Sequence, residues 1–170
     1  LHIHFTGAGA NVGAGKYNDG SHENRLVLAE RLADGMKRAW ESTEKEPVTA
    51  ASVNWDFEKV KLPDAAHLSI LEEKMKEVPD TTLSQSLAMK LAWIERSKAG
   101  MKVDVSCLTI GNVRILHLPG ELFVEYQLAA KDMRKDLFVA MASYGDNGMG
   151  YIGTAAAYQE GGYETGEASL

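Results

Sequence analysis

The sequence predicts an α/β domain built on a mixed β-sheet with flanking helices. Three observations carry that prediction. Apolar residues alternate through Val103–Ile110 and again from Val113 to Leu118, with Gly111-Asn112 between them as a hairpin turn pair. A helical stretch from Glu121 to Arg134 then leads into Leu137 to Ala142, an almost wholly apolar strand of the kind buried inside a sheet. Finally, Leu28, Ala29, Leu32, Ala33, Met36 and Trp40 recur at helical spacing, which marks an amphipathic helix.

Taken in order, Leu1 to Phe5 alternates at period two and reads as a strand delivering the glycine-rich loop Thr6 to Gly15. The loop continues through Lys16-Tyr17-Asn18-Asp19-Gly20. Ser21 is placed to cap the following helix, and Glu23 lies in its first turn, where the positive end of the helix dipole favours an acid. Val48 to Leu62 is β-rich, with Val53, Trp55, Phe57 and Val60 as its large apolar members, and Pro63 ends it. Helices are expected from about Asp64 to Glu77, broken at Pro79, and from Thr81 to Lys98, with Gly100 as a left-handed stop. After the hairpin, Pro119-Gly120 breaks the second strand. From Tyr144 the chain is rich in glycine and tyrosine and reads as loops around a short helix. No repeat or low-complexity linker divides residues 1–170, so one domain is expected. The start at Leu1 without an initiator methionine, and the stop soon after a motif-rich stretch, read as a piece cut from a longer chain at both ends.

Bulk properties narrow the function. An apolar fraction of 45% and a charged fraction of 25% are ordinary for a globular chain. A formal net charge of -6, with no basic run to offset it, argues against a nucleic-acid partner. No stretch reaches the roughly 18 apolar residues of a membrane span. The lone Cys107 excludes an intrachain disulfide and a multi-cysteine zinc site, and it reads as a small buried strand residue.

The glycine loop does not fit a nucleotide. Gly7, Gly9 and Gly13 give GxGxxxG rather than GxGxxG, and too many residues separate them from the helix whose N-terminus would face a phosphate. Nor does Gly15-Lys16 make a Walker loop, because Ala10 and Tyr17 stand where a glycine and a hydroxyl residue are required. His2 and His4 share a strand face and make a two-histidine metal site conceivable. His22 and His67 read as structural or solvated, and Pro119-Gly120 prevents His117 and Glu121 from aligning on a helix. There is no Gly-Xaa-Ser-Xaa-Gly for a nucleophilic serine. More informative is Glu121, a carboxylate at a sharp strand-to-helix junction, where α/β folds collect functional groups.

Three segments resemble the amino-terminal catalytic domain of neutral/alkaline, non-lysosomal ceramidases, and bacterial members most of all. They are Gly15-Lys16-Tyr17-Asn18-Asp19-Gly20, then Pro119-Gly120-Glu121, then the run Tyr151-Ile152, Thr154, Tyr158-Gln159 and Tyr163-Glu164. The resemblance implies that the chain is part of a larger ceramidase-like domain holding Zn2+ with two histidines, a glutamate and a tyrosine. The glutamate falls on Glu121 and the tyrosine on Tyr163; the histidines would lie before residue 1, and His2 and His4 do not match them. At the family's catalytic loop, Asn11 stands at the aspartate position and Gly13 at the serine position, so the catalytic hydroxyl is absent. Asn11, Lys16, Tyr17, Asn18 and Asp19 are then candidate substrate contacts. The implied reaction is hydrolysis of an amide bond in a small-molecule or lipid-like substrate, in an extracytoplasmic or secreted protein. Gly13 leaves open a non-catalytic or substrate-diverged lipid- or carbohydrate-binding relative.

Overall fold

Paired strands with one parallel crossover set the architecture. The computed structural model describes residues 3–13, 15–63, 85–145 and 150–166. Its elements run α1 (His22–Glu41), β1 (Val53–Val60), α2 (Gln85–Lys98), β2 (Val103–Ile110), β3 (Val113–Pro119), β4 (Glu121–Leu122), α3 (Val124–Met133), β5 (Phe138–Gly145), β6 (Tyr151–Ile152) and α4 (Ala155–Glu160), with short 3-10 turns at Gly15–Tyr17 and Ala50–Ser52. The main sheet has the order β1-β2-β3-β5. Neighbours β1 and β2, and β2 and β3, are antiparallel, whereas β3 and β5 are parallel. A parallel pair needs a crossover, and α3 supplies it. Strands β4 and β6 form a separate two-stranded parallel sheet. The α/β class with a mixed sheet is therefore observed.

Local chemistry explains most element ends. Ser21 caps α1, its Oγ accepting from the Asn24 amide at 3.2 Å. Gly111, at φ 57°, closes the β2–β3 hairpin, and Gly100, at φ 81°, follows α2 as the expected left-handed stop. Two expectations need correction. Residues 3–5 form no strand, and Glu121 and Leu122 pair as β4 before the helix starts at Val124. Residues 3–5 lack a ladder because the backbone bonds of this region begin further on, where Thr6 accepts from the Ser143 amide at 2.8 Å. The helix expected over residues 64–77, and the start of the one expected from 81, lie outside the described residues, as do His2 and His67.

One face of the main sheet carries the core. Met141, Leu122 and Ala8 are buried together, with Leu116, Leu118, Tyr126, Ala130 and Ile152 packed against them. A second cluster of Trp93, Ile94 and Val103 joins α2 to the far end of the sheet through Val60, Leu62 and Met101. Cys107 sits on β2 half-buried rather than buried. The opposite face keeps Trp55, Phe57 and Phe138 more than half exposed. So does α1, whose Leu32, Met36 and Trp40 form the expected stripe and stay exposed, with Lys45 lying over the Trp40 ring at 5.6 Å. No described helix is long and apolar enough to cross a membrane.

Tyr126 ties the core helix to the segment beyond the sheet. Its hydroxyl donates to the Gly153 carbonyl at 3.0 Å, and burial, followed by the charges of Tyr158 and Glu125, pushes its phenol pKa up. Replacing Tyr126 with Phe leaves a carbonyl of the buried Gly153 without this donor. Such a loss costs about 1 kcal/mol, and a urea denaturation midpoint measures it.

Candidate functional site

Glu121 owes its position to a backbone turn. β3 ends at the buried Pro119, and Gly120 turns the chain at φ 68°. A Cβ on Gly120 would stand 2.8 Å from Ile152 Cδ1 and 3.0 Å from the Gly150 carbonyl oxygen, and it would strain the left-handed backbone, so glycine suits this turn best. Glu121 then leaves the main sheet to pair with Tyr151, its amide donating to the Gly150 carbonyl at 2.8 Å. The Phe123 amide continues the pairing to the Ile152 carbonyl at 3.2 Å.

The glycine loop packs directly on this junction. The Gly9 and Ala10 amides both donate to the Leu122 carbonyl, at 3.0 and 3.1 Å. Asn11 completes the contact. Its Oδ1 accepts from the Val124 amide at 2.9 Å, and its Nδ2 donates to both Glu125 carboxylate oxygens at 3.2 and 3.0 Å. The residue before α3, Phe123, carries no side-chain acceptor, so Asn11 serves as the helix cap from a distant part of the chain. At Gly7 a Cβ would meet Gln127 Oε1 at 2.6 Å, and the Ser143 hydroxyl donates to the Gly7 carbonyl at 2.8 Å. At Gly7, therefore, a side chain would have to displace the Gln127 amide, whereas Gly9 has open space around it.

Two tyrosines, Tyr144 and Tyr151, stand by the Glu121 carboxylate, and a third, Tyr163, stands by Tyr151. Burial, followed by the Glu121 charge and a side-chain hydrogen bond to Glu121, pushes the Tyr144 phenol pKa up. The Tyr151 phenol is raised first by the Glu121 charge, then by burial, then by Tyr163 and Glu164. Tyr163 stands edge-on to Tyr151, ring centroids 5.8 Å apart and planes at 74°. It is reached through α4, which Thr154 caps by accepting from the Ala157 amide at 3.2 Å, and through Gly161 and Gly162, both at positive φ. Glu121 and Tyr163 thus flank Tyr151 from opposite ends of the last third of the chain. Glu121 is half-buried and Tyr163 exposed.

The remaining sequence candidates fall elsewhere. Gly13 is exposed, and a Cβ there would meet nothing within 4 Å. Lys16 and Arg31 lie over the Tyr17 ring, at 5.3 and 5.1 Å, and Asn24 Nδ2 donates to the Tyr17 carbonyl at 2.6 Å. Asn18 accepts from the Gly20 amide at 3.0 Å. Asp19 accepts from the Ser21 hydroxyl at 2.7 Å and amide at 2.9 Å, bonds that hold its carboxyl below the usual range. These contacts of Lys16, Tyr17, Asn18 and Asp19 stay within residues 16–31 and organise the entry to α1. His4 is exposed, and His117 is half-buried with Nδ1 3.5 Å from Ser106 Oγ. Among the described residues, no three His, Cys, Asp or Glu side chains come together as a metal-binding group. In the sequence Tyr151 stands out only as part of the Tyr151-Ile152 run and Tyr144 only as the start of a glycine- and tyrosine-rich stretch, and neither is a site candidate there.

No protein-family model, curated protein or solved structure matches the chain.

Asn11 provides a direct check of the loop's role. Asn11→Ala removes the cap and is expected to cost about 1 kcal/mol of stability. Asn11→Asp keeps the acceptor but sets a second carboxylate against Glu125, so its denaturant midpoint should fall further at pH 7 than at pH 4, where both groups are partly protonated.

Proposed function

We propose that the chain forms part of a zinc-dependent hydrolase of the neutral ceramidase type, with Glu121 and Tyr163 as two of the metal's ligands and an N-acyl amide as substrate. The observation that supports this reading is that Glu121 and Tyr163 each neighbour Tyr151, Glu121 through the β4–β6 pairing and Tyr163 through an edge-on ring contact. Their donor types suit zinc, which accepts carboxylate and phenolate oxygen beside imidazole nitrogen. Two oxygens alone are an incomplete set, and on this reading the histidines come from a segment preceding residue 1.

Zinc held there would supply Lewis acidity toward the amide carbonyl and a water of lowered pKa. The chain's own residues would do the rest. Glu121 offers a carboxylate fixed at its backbone by Gly150. Tyr151 and Tyr144 keep their protons at neutral pH, because burial and the Glu121 charge oppose ionisation, and so present hydroxyl donors beside it. Asn11 holds the glycine loop against the Glu121–Val124 junction and so sets where Gly13 lies relative to the site.

Zinc stoichiometry and amide hydrolysis, compared between the native protein and the variants Glu121→Ala and Tyr163→Phe, test the assignment. Both variants should lose zinc, and full occupancy in both excludes the ligand pair. A second reading, a binding protein without turnover, is favoured by two features: Gly13 has no hydroxyl, and both polar ends of the Asn11 amide are already engaged. Gly13→Ser separates the two. The open space at Gly13 accepts the side chain without steric cost, so the variant should fold with an unchanged midpoint. A hydrolase lacking only this hydroxyl should gain activity of at least about ten-fold, a modest share of what an added catalytic group contributes. A binding protein should gain none.

A further inference from the structure

Two apolar surfaces of this chain lie open among the described residues. The first is the face of the main sheet opposite the core. Strand register sets Val53, Ile110, Val113 and Phe138 side by side across all four strands. The next row on that face is Trp55, Leu108, Ile115 and Ala140, two residues along each strand. Both rows are wholly apolar, yet Trp55, Phe57 and Phe138 are 55, 62 and 65% exposed. A sheet face meant for water carries polar residues instead.

The second surface is α1, which runs for 20 residues and buries none of them. Its polar side is engaged locally, through the Lys37–Glu41 and Arg38–Asp34 ion pairs and Arg31 over the Tyr17 ring. Its apolar stripe lies at the surface: Leu32, Met36 and Trp40 are 67, 58 and 64% exposed, with Lys45 over the Trp40 ring. Helices draw most of their stability from packing such a stripe. Four acidic and four basic residues balance along α1, which does not suit an anionic membrane surface. The connection from α1 to β1 is tied at both ends. Ser42 and Thr43 bond back to the Ala39 carbonyl, Thr49 and Ser52 close a turn, and the Gly111 amide donates to the Ser52 carbonyl. Only Glu44 to Val48, including Pro47, are left as a hinge. A short, stiff hinge favours exchanging an element between copies over folding it back.

We propose that α1 of one copy packs its stripe on the open sheet face of a second copy, and the reverse, in an exchanged dimer. Trp55, Phe57 and Phe138 on the face and Leu32, Met36 and Trp40 on the helix together expose roughly 700 Å². Two such contacts bury on the order of 1,400 Å², within the range of specific protein interfaces.

Sedimentation, and the dependence of the thermal midpoint on concentration, test the arrangement. The native protein should be a dimer at tens of micromolar, with a midpoint that rises with concentration. Met36→Glu on the helix and Phe57→Lys on the face should each give a folded monomer, because both positions are exposed in a single copy. Far-ultraviolet circular dichroism checks the folding, and Phe138→Lys replaces Phe57→Lys if the latter does not fold. Mixed together, the two variants should form a heterodimer, since the intact helix of one meets the intact face of the other. A native protein that stays monomeric, with α1 closed on its own sheet or the face covered by another segment, overturns the proposal. So does a native dimer that either variant leaves intact. A mixture that remains monomeric overturns it as well, because helix-on-face packing requires the two variants to complement.

Discussion

The turn at Gly120 is the constraint on which the rest of the site depends. With φ at 68° and no room for a Cβ against Ile152, it ends β3 abruptly and redirects the chain. Without it Glu121 and Leu122 would continue in the main sheet, where alternation would hand Glu121 to a face set by β3 and β5. With it, they pair with Tyr151 and Ile152 instead, and the carboxylate meets the tyrosines. The same residue's carbonyl accepts from Tyr144 and so fixes the end of β5 relative to the end of β3. Two parallel strand ends, a second small sheet and a helix start are thus joined at one peptide.

The glycine loop acquires its meaning from that junction. A loop of small residues after an extended segment invites a phosphate-binding interpretation, because free backbone amides bind anions. Here the Gly9 and Ala10 amides are committed to the Leu122 carbonyl, and Asn11 is committed to the start of α3. Crossover helix α3 lacks a capping side chain of its own, so the Asn11 side chain satisfies its first amide while Leu122 of β4 accepts from the loop amides. The proposed ceramidase-type reading would bring residues 11–20 and 119–163 into one functional account. In the structure the part of the loop through Asn11 does lie on the Glu121–Val124 junction, whereas Lys16 to Asp19 are engaged with α1.

Most of the fold was legible because the signals are local. The β2–β3 hairpin follows from alternating apolar residues around a Gly-Asn turn, and the Ser21 cap from a hydroxyl three residues before the Asn24 amide. The stop after Lys98 follows from a glycine able to adopt left-handed φ. Where the sequence reading failed, long-range backbone bonding prevailed. Residues 3–5 alternate like a strand but have no ladder to join. Glu121 and Leu122 read as the first turn of a helix but find a strand partner in Tyr151-Ile152 thirty residues on. The α1 stripe shows a third limit: periodicity marks which side of a helix is apolar, and it is silent on what that side packs against.

By itself, the sequence determined the alternation of strands and helices, the turn residues and the residue types available for chemistry, since backbone preference and side-chain period act over a few residues. It also presented Glu121 and Tyr163 as residues of interest through their contexts. Only the tertiary structure decided that these two flank one tyrosine, that Asn11 caps a helix more than a hundred residues away, and that Tyr144, at φ 62°, carries a backbone conformation its side chain resists. Each of those depends on segments remote in sequence meeting at the Gly120 turn, and such meetings are governed by packing and hydrogen-bond satisfaction across the whole fold rather than by any local pattern.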